Sequence, residues 1–100
     1  MIKMLINEKA QKKYTIDDIF SSKGRIKIIR LLAIEDELNI SEIVKRTKLN
    51  HKIVSNHLQI LKELGIVQEK KYGRIKIYRF RSEDFKVKAI KNLILIWESY

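Results

Sequence analysis

The sequence predicts an α+β fold, mostly helical. Three observations support this: a succession of amphipathic helix patterns with capping residues at their starts, two short β-type runs joined at a glycine, and a length of 100 residues that suits one small core. Residues 1–14 mix apolar and basic side chains without a long clean period, so a short helix, a strand and a basic arm all stay open there. Thr15, followed by Ile16, Asp17 and Asp18, reads as a capping-box start, and Ile16, Ile19 and Phe20 give this short helix one apolar face.

Ser22 caps a second helix that runs to about Ile34. Ile26, Ile28, Ile29, Leu31, Leu32 and Ala33 make its apolar side broad enough for a central place in the core. The acids Glu35 to Glu37 end it in solvent. Leu38–Ile40 is a short extended piece, and Ser41 is expected to cap a third helix through about Lys48, with Ile43, Val44 and Leu49 inward. Asn50 caps a fourth helix that stops at Gly65, a residue suited to a left-handed helix end. Val54, Leu58 and Leu61 recur along it at the spacing of one buried stripe. Two strands follow, Ile66–Lys71 and Arg74–Phe80, joined through Tyr72-Gly73. Lys76 shares a face with Tyr78 and Phe80, so the pattern alone leaves the inward face of the hairpin open. Ser82, with Glu83 and Asp84, starts a last helix. Its run Leu93 to Trp97 places apolar residues all round the axis, one side more than a small monomer can bury. A second copy of the chain is the expected cover, with Ile90, Leu93, Ile94, Ile96 and Trp97 at the interface.

Charge narrows the function. Twenty-two Lys and Arg against twelve Asp and Glu give a formal net charge of +10. From Lys45 to Arg81 there are eleven basic residues and two acids, Glu63 and Glu69, so this stretch carries nearly all of the excess. That is the electrostatic footprint of a polyanion-binding surface. The third and fourth helices, joined around Leu49-Asn50, have helix-turn-helix spacing, in which the second helix enters the major groove of duplex DNA. Its outward residues His51, Lys52, Ser55, Asn56 and Gln59 are expected to read bases. Asn and Gln suit adenine, and Lys52 suits guanine or a phosphate. Lys48 and Lys62, with the hairpin residues Lys70, Lys71, Tyr72 and Arg74, are expected on phosphates, the hairpin acting as a wing.

These residues carry a family resemblance. IFSSKGRIKIIRLL (Ile19–Leu32), LNISEIVKRTKLNHKIVSNHLQILKELGIV (Leu38–Val67) and GRIKIYRF (Gly73–Phe80) together resemble the ArsR-type winged helix-turn-helix regulators. The resemblance covers about two thirds of the chain. It implies a homodimer held by terminal helices, bound to a roughly two-fold operator, often as a repressor. Lys23 stands where the family usually has proline. Leu38-Asn39-Ile40-Ser41 stands where metal-sensing members carry a cysteine motif. The last helix offers Glu83, Asp84 and Glu98 but no histidine, and the sequence contains no cysteine, so a thiolate or imidazole sensor site is not expected.

The expected organisation is therefore an N-terminal arm or short helix over 1–14, a winged helix-turn-helix over 15–81 and a C-terminal dimerisation helix over 82–100. The expected partners are double-stranded DNA and a second copy, with no membrane, no metal and no cofactor. The lack of cysteine, of a signal-peptide pattern and of a bilayer-length apolar run points to the cytoplasm. Ser55 and His57 have no orienting acid at defined spacing, and the three glycines form no phosphate-cradling loop, so an enzyme is not expected. His57 reads as a half-buried packing residue. The rival uses of the same fold are a protein-contact adaptor and an RNA-binding module. The second is disfavoured by the lack of a sheet displaying several aromatics.

Overall fold

Helices in this chain begin where a side chain can satisfy their first unpaired N–H groups. The computed structural model describes residues 14–99, so the arm expected over 1–14 lies, apart from Tyr14, outside the described residues. The elements are α1 (Ile16–Ile19), α2 (Lys23–Glu35), β1 (Glu37–Asn39), α3 (Ile40–Thr47), α4 (His51–Glu63), β2 (Val67–Tyr72), β3 (Ile75–Phe80) and α5 (Phe85–Ser99). The Asp18 carboxylate accepts from the Thr15 N–H at 2.8 Å, Ser22 Oγ from Arg25 N–H at 3.0 Å and Asn50 Oδ1 from Ile53 N–H at 2.9 Å.

Two expected starts shift. Asn39, not Ser41, caps α3, its Oδ1 accepting from Glu42 N–H at 2.8 Å. The cause is strand pairing: Asn39 is held opposite Ile77 in extended conformation, which leaves its amide over the first turn. Likewise α5 begins at Phe85, because residues 82–84 form a turn and Asp84 Oδ1 takes the N–H groups of Lys86 and Val87 at 2.8 and 3.3 Å. The Ser82 hydroxyl, expected to start that helix, is buried without a hydrogen-bond partner among the described residues.

The extended piece after α2 is a third strand. β1 pairs antiparallel with β3, with Leu38 opposite Tyr78, and β2 pairs with the other edge of β3, so the sheet order is β1-β3-β2. Tyr72 lies opposite Ile75. The two-residue turn is therefore Gly73-Arg74, one position beyond the expected Tyr72-Gly73. Strand direction also settles the inward face. Tyr78 and Phe80 are buried at the base of the hairpin, while Lys76, two residues further out on the same face, is exposed because the core has ended.

The core joins Ile28, Ile29, Leu32 and Ala33 of α2 with Ile43 of α3, the α4 stripe, Ile66, Val67, Phe80 and Val87. Gly65, at φ +78°, ends α4: its N–H donates to the Lys62 carbonyl and that of Ile66 to the Leu61 carbonyl, the paired bonds of a Schellman motif. This turn aims the chain from α4 directly into the wing.

The capping assignment is testable by urea unfolding. Asn39→Ala should lower stability by about 1 kcal/mol, the usual worth of an N-cap, whereas Ser41→Ala should stay within about 0.5 kcal/mol. A larger loss at Ser41 would reverse the assignment.

Candidate nucleic-acid interface

The turn between α3 and α4 sets where the outer face of α4 points. Thr47 is buried, its Oγ1 donating to the Ile43 carbonyl at 2.7 Å, and Leu49 N–H reaches back to that hydroxyl at 3.4 Å. Lys48 adopts φ +61°, a left-handed conformation that a non-glycine residue holds only with support. Its side chain is thereby exposed at the corner of the two helices. Val54, Leu58 and Leu61 have no solvent exposure. At 100° per residue, Lys52, Asn56 and Gln59 then lie on the opposite side, and all three are exposed, as is His51. Ser55 is half-buried on the flank, its Oγ 3.4 Å from His51 Nδ1. Gln59 Nε2 donates to Glu63 at 3.3 Å, a weak contact that a stronger acceptor could replace.

The wing extends the surface. Lys71, Tyr72 and Arg74 are exposed at its tip, and Ile75 stands beside Tyr72 with half its surface open. Lys48, Lys52, Lys71 and Arg74 make no ion pair among the described residues, so their charge is free for a polyanion. Lys45, exposed on α3, is likewise unpaired among the described residues, and the other cations of the basic stretch are engaged. Lys62 donates to Glu69 at 2.7 Å, Lys70 to Glu37 at 3.3 Å, Arg46 to Glu35 at 2.8 Å and Arg79 to Glu83 at 2.9 Å. Arg81 donates to the Gly65 carbonyl at 2.7 Å. Three of these acids, Glu35, Glu37 and Glu83, lie outside the basic stretch in sequence. The hydrogen bond from Arg79 holds the Glu83 carboxyl well below the ordinary carboxylate range, at about 2.

On its other flank α4 meets α2. His57 packs its ring against Gly24, where a Cβ would come within 3.1 Å of Nε2, and its Nδ1 accepts from Arg25 Nε at 3.3 Å. Arg25 also holds the Asp18 carbonyl at the end of α1. Burial first, and the Arg25 charge second, push the His57 imidazole below its ordinary pKa. This contact has no local signature in the sequence, since its partners stand 32 positions apart.

Of the interface candidates on α5, Ile90 and Ile94 pack against the chain's own core. Leu93, Ile96 and Trp97 are 55, 60 and 76% exposed. With Phe20 and Ile26, Leu93 and Trp97 line an apolar groove between α2 and α5. No helix of the described residues is long and apolar enough to cross a membrane.

Known proteins share this arrangement. The family model for bacterial regulatory proteins of the arsR family matches residues 22–69. An uncharacterised HTH-type transcriptional regulator of Methanocaldococcus jannaschii is 33% identical over 87 residues, covering 87% of this chain and 96% of that one. The cadmium resistance transcriptional regulatory protein CadC of Listeria innocua is 37% identical over 60 residues, or 60% of this chain, which spans about half of that protein's length. Among solved structures, the homodimeric winged helix-turn-helix DNA-binding domain of a possible ArsR-family regulator from Mycobacterium bovis superimposes with a TM-score of 0.68 at 26% identity, over 84% of this chain and 75% of that one.

The lowered His57 pKa has a measurable sign. The unfolded chain takes up the proton first as pH falls, so stability is full above about 6.5 and declines as pH drops through the folded value. Urea midpoints measured from about pH 8 down to about pH 5 should fall for the native chain. They should fall less for His57→Gln. Equal declines would place the effect elsewhere.

Proposed function

The chain belongs to the arsR family of regulatory proteins, and from that premise we propose that it acts as a homodimeric repressor whose α4 helices read successive major grooves of a two-fold operator. It is a DNA-binding transcription regulator with a winged helix-turn-helix fold. The observation that carries the proposed mode of reading is the two-sided character of α4. One stripe is fully withdrawn from solvent, and the opposite side offers Lys52, Asn56 and Gln59, framed by His51 and Ser55, with Glu63 the one acid on it, at its far end. These five are the base-reading set, Asn56 and Gln59 having the donor–acceptor pairs that match adenine.

Phosphates are met by the unpaired cations Lys48, Lys71 and Arg74 together with Tyr72. Lys62 and Lys70, expected on phosphates, are instead bound to Glu69 and Glu37. The apolar side of α5, with Leu93, Ile96 and Trp97, is the face a second copy covers. The related Mycobacterium bovis domain is a homodimer, and a symmetric pair would set two recognition helices about 34 Å apart along the duplex. The cadmium response in the name of the Listeria relative is not carried over, because this chain has no cysteine to supply thiolates.

Selection of bound sites from a random duplex pool tests the reading as a whole, with a palindromic consensus as the expected result. Asn56→Ala or Gln59→Ala should weaken the selected site by about 1–3 kcal/mol and leave random DNA unchanged. Equal losses on both would remove base readout from α4. Arg74→Ala should weaken both alike and lower the salt slope by about one. Trp97→Glu should shift sedimentation equilibrium to monomer, and a dimer of unchanged stability would remove α5 from the interface.

A further inference from the structure

Glu69 is the one acid on the strands of a wing that also carries Lys70, Lys71, Arg74, Lys76 and Arg79. An acid beside a phosphate-binding surface repels the ligand, so its presence calls for a reason. Its side chain is only 15% exposed and each carboxylate oxygen accepts a hydrogen bond. Oε1 accepts from Lys62 Nζ, in the last turn of α4, at 2.7 Å. Oε2 accepts from the Tyr78 hydroxyl, directly across the hairpin, at 2.9 Å, with Lys76 Nζ at 4.0 Å. The Lys62 hydrogen bond holds Glu69 ionised to lower pH than usual, and burial together with Glu69 raises the Tyr78 pKa. One side chain thus joins the end of α4 to both strands of the wing.

We propose that Glu69 is a positioning residue for DNA recognition: it fixes the wing against α4 and withholds the Lys62 ammonium from phosphates, lowering affinity for arbitrary DNA relative to the operator. The inference rests on the DNA-binding reading above. Its physical basis is counterion release. Each cation that reaches a phosphate steepens the fall of log K with log salt by about 0.9, so a lysine held by a carboxylate contributes nothing to that slope. It also leaves the base-reading face of α4 to decide between sequences.

The experiment compares the native chain, Glu69→Gln, Lys62→Met and the double variant on the selected operator and on random duplex DNA over a range of salt. Glu69→Gln keeps a hydrogen-bonding group but releases Lys62 and Lys76. Binding to random DNA should tighten several-fold at low salt, its slope should steepen by about one to two, and the operator-to-random ratio should shrink. The double variant should give back about one of that slope. Lys62→Met alone should leave the slope unchanged. The inference is overturned if Lys62→Met alone flattens the slope by about one, which would put Lys62 on a phosphate already. It is also overturned if Glu69→Gln weakens both DNAs alike with no change in slope. Should Glu69→Gln fail to fold, the Lys62→Met slope decides. If the native chain binds no duplex, the DNA reading itself falls and takes this inference with it.

Discussion

On the proposed reading the thirteen residues of α4 serve a core and a ligand at once, and the rest of the molecule is arranged around that demand. Val54, Leu58 and Leu61 are sealed against α2, α3 and the base of the wing. A helix pinned along one stripe still has freedom to roll, and a roll of one residue would replace Asn56 by His57 or Ser55 on the outer face. Two polar contacts on opposite flanks oppose that roll. His57 takes the Arg25 guanidinium on the α2 side, and Lys62 takes Glu69 on the wing side. Neither is worth much as stability, since partly exposed pairs contribute about 0–1 kcal/mol. Their value lies in orientation.

The distribution of charge follows the same economy. Counted along the chain, the basic stretch has almost no acids. Counted in space, several of its cations meet carboxylates from the end of α2, the start of β1 and the approach to α5. What remains unpaired among the described residues lies on α3 (Lys45), at the helix-turn-helix corner (Lys48, Lys52) and at the wing tip (Lys71, Arg74). A surface with every cation free would bind any duplex strongly. Retiring some of them into ion pairs leaves positive charge where it frames α4.

Most of the fold was legible because its signals are local. The caps Ser22 and Asn50, the stripe on α4 and the stop at Gly65 each lie within a few residues of what they control. The misplacements have a common cause. Asn39 and Ser41 are both good caps two residues apart, and only the pairing of Asn39 with Ile77 chooses between them. Leu38–Ile40 reads as a short extended piece, and its pairing with β3, which sets the strand at Glu37–Asn39, comes from residues about forty positions away. The outer face of α4 was legible for the same reason as its stripe. The contacts that orient it were not, because Arg25 and His57, or Lys62 and Glu69, come from different elements. One sign was available: a lone acid in the middle of a basic hairpin.

On the proposed reading, in which a second copy covers the apolar side of α5, oligomeric state is tied to recognition. Ile90 and Ile94 close the core from one side of the helix, so α5 cannot turn to hide Leu93, Ile96 and Trp97 without opening what it covers. Full burial of such a side chain is worth about 1.5–3 kcal/mol, a large share of the stability of a domain this small. A second copy seated there would stabilise the fold and, in the same step, fix the distance between two α4 helices. Since α5 rests on α2 and α2 holds α4 through Arg25, a change in the angle at the dimer seam would displace the reading face itself. A regulator built this way needs no ligand pocket inside the DNA-binding region to be switched, because any event that alters the α5 seam alters the spacing that the operator must match.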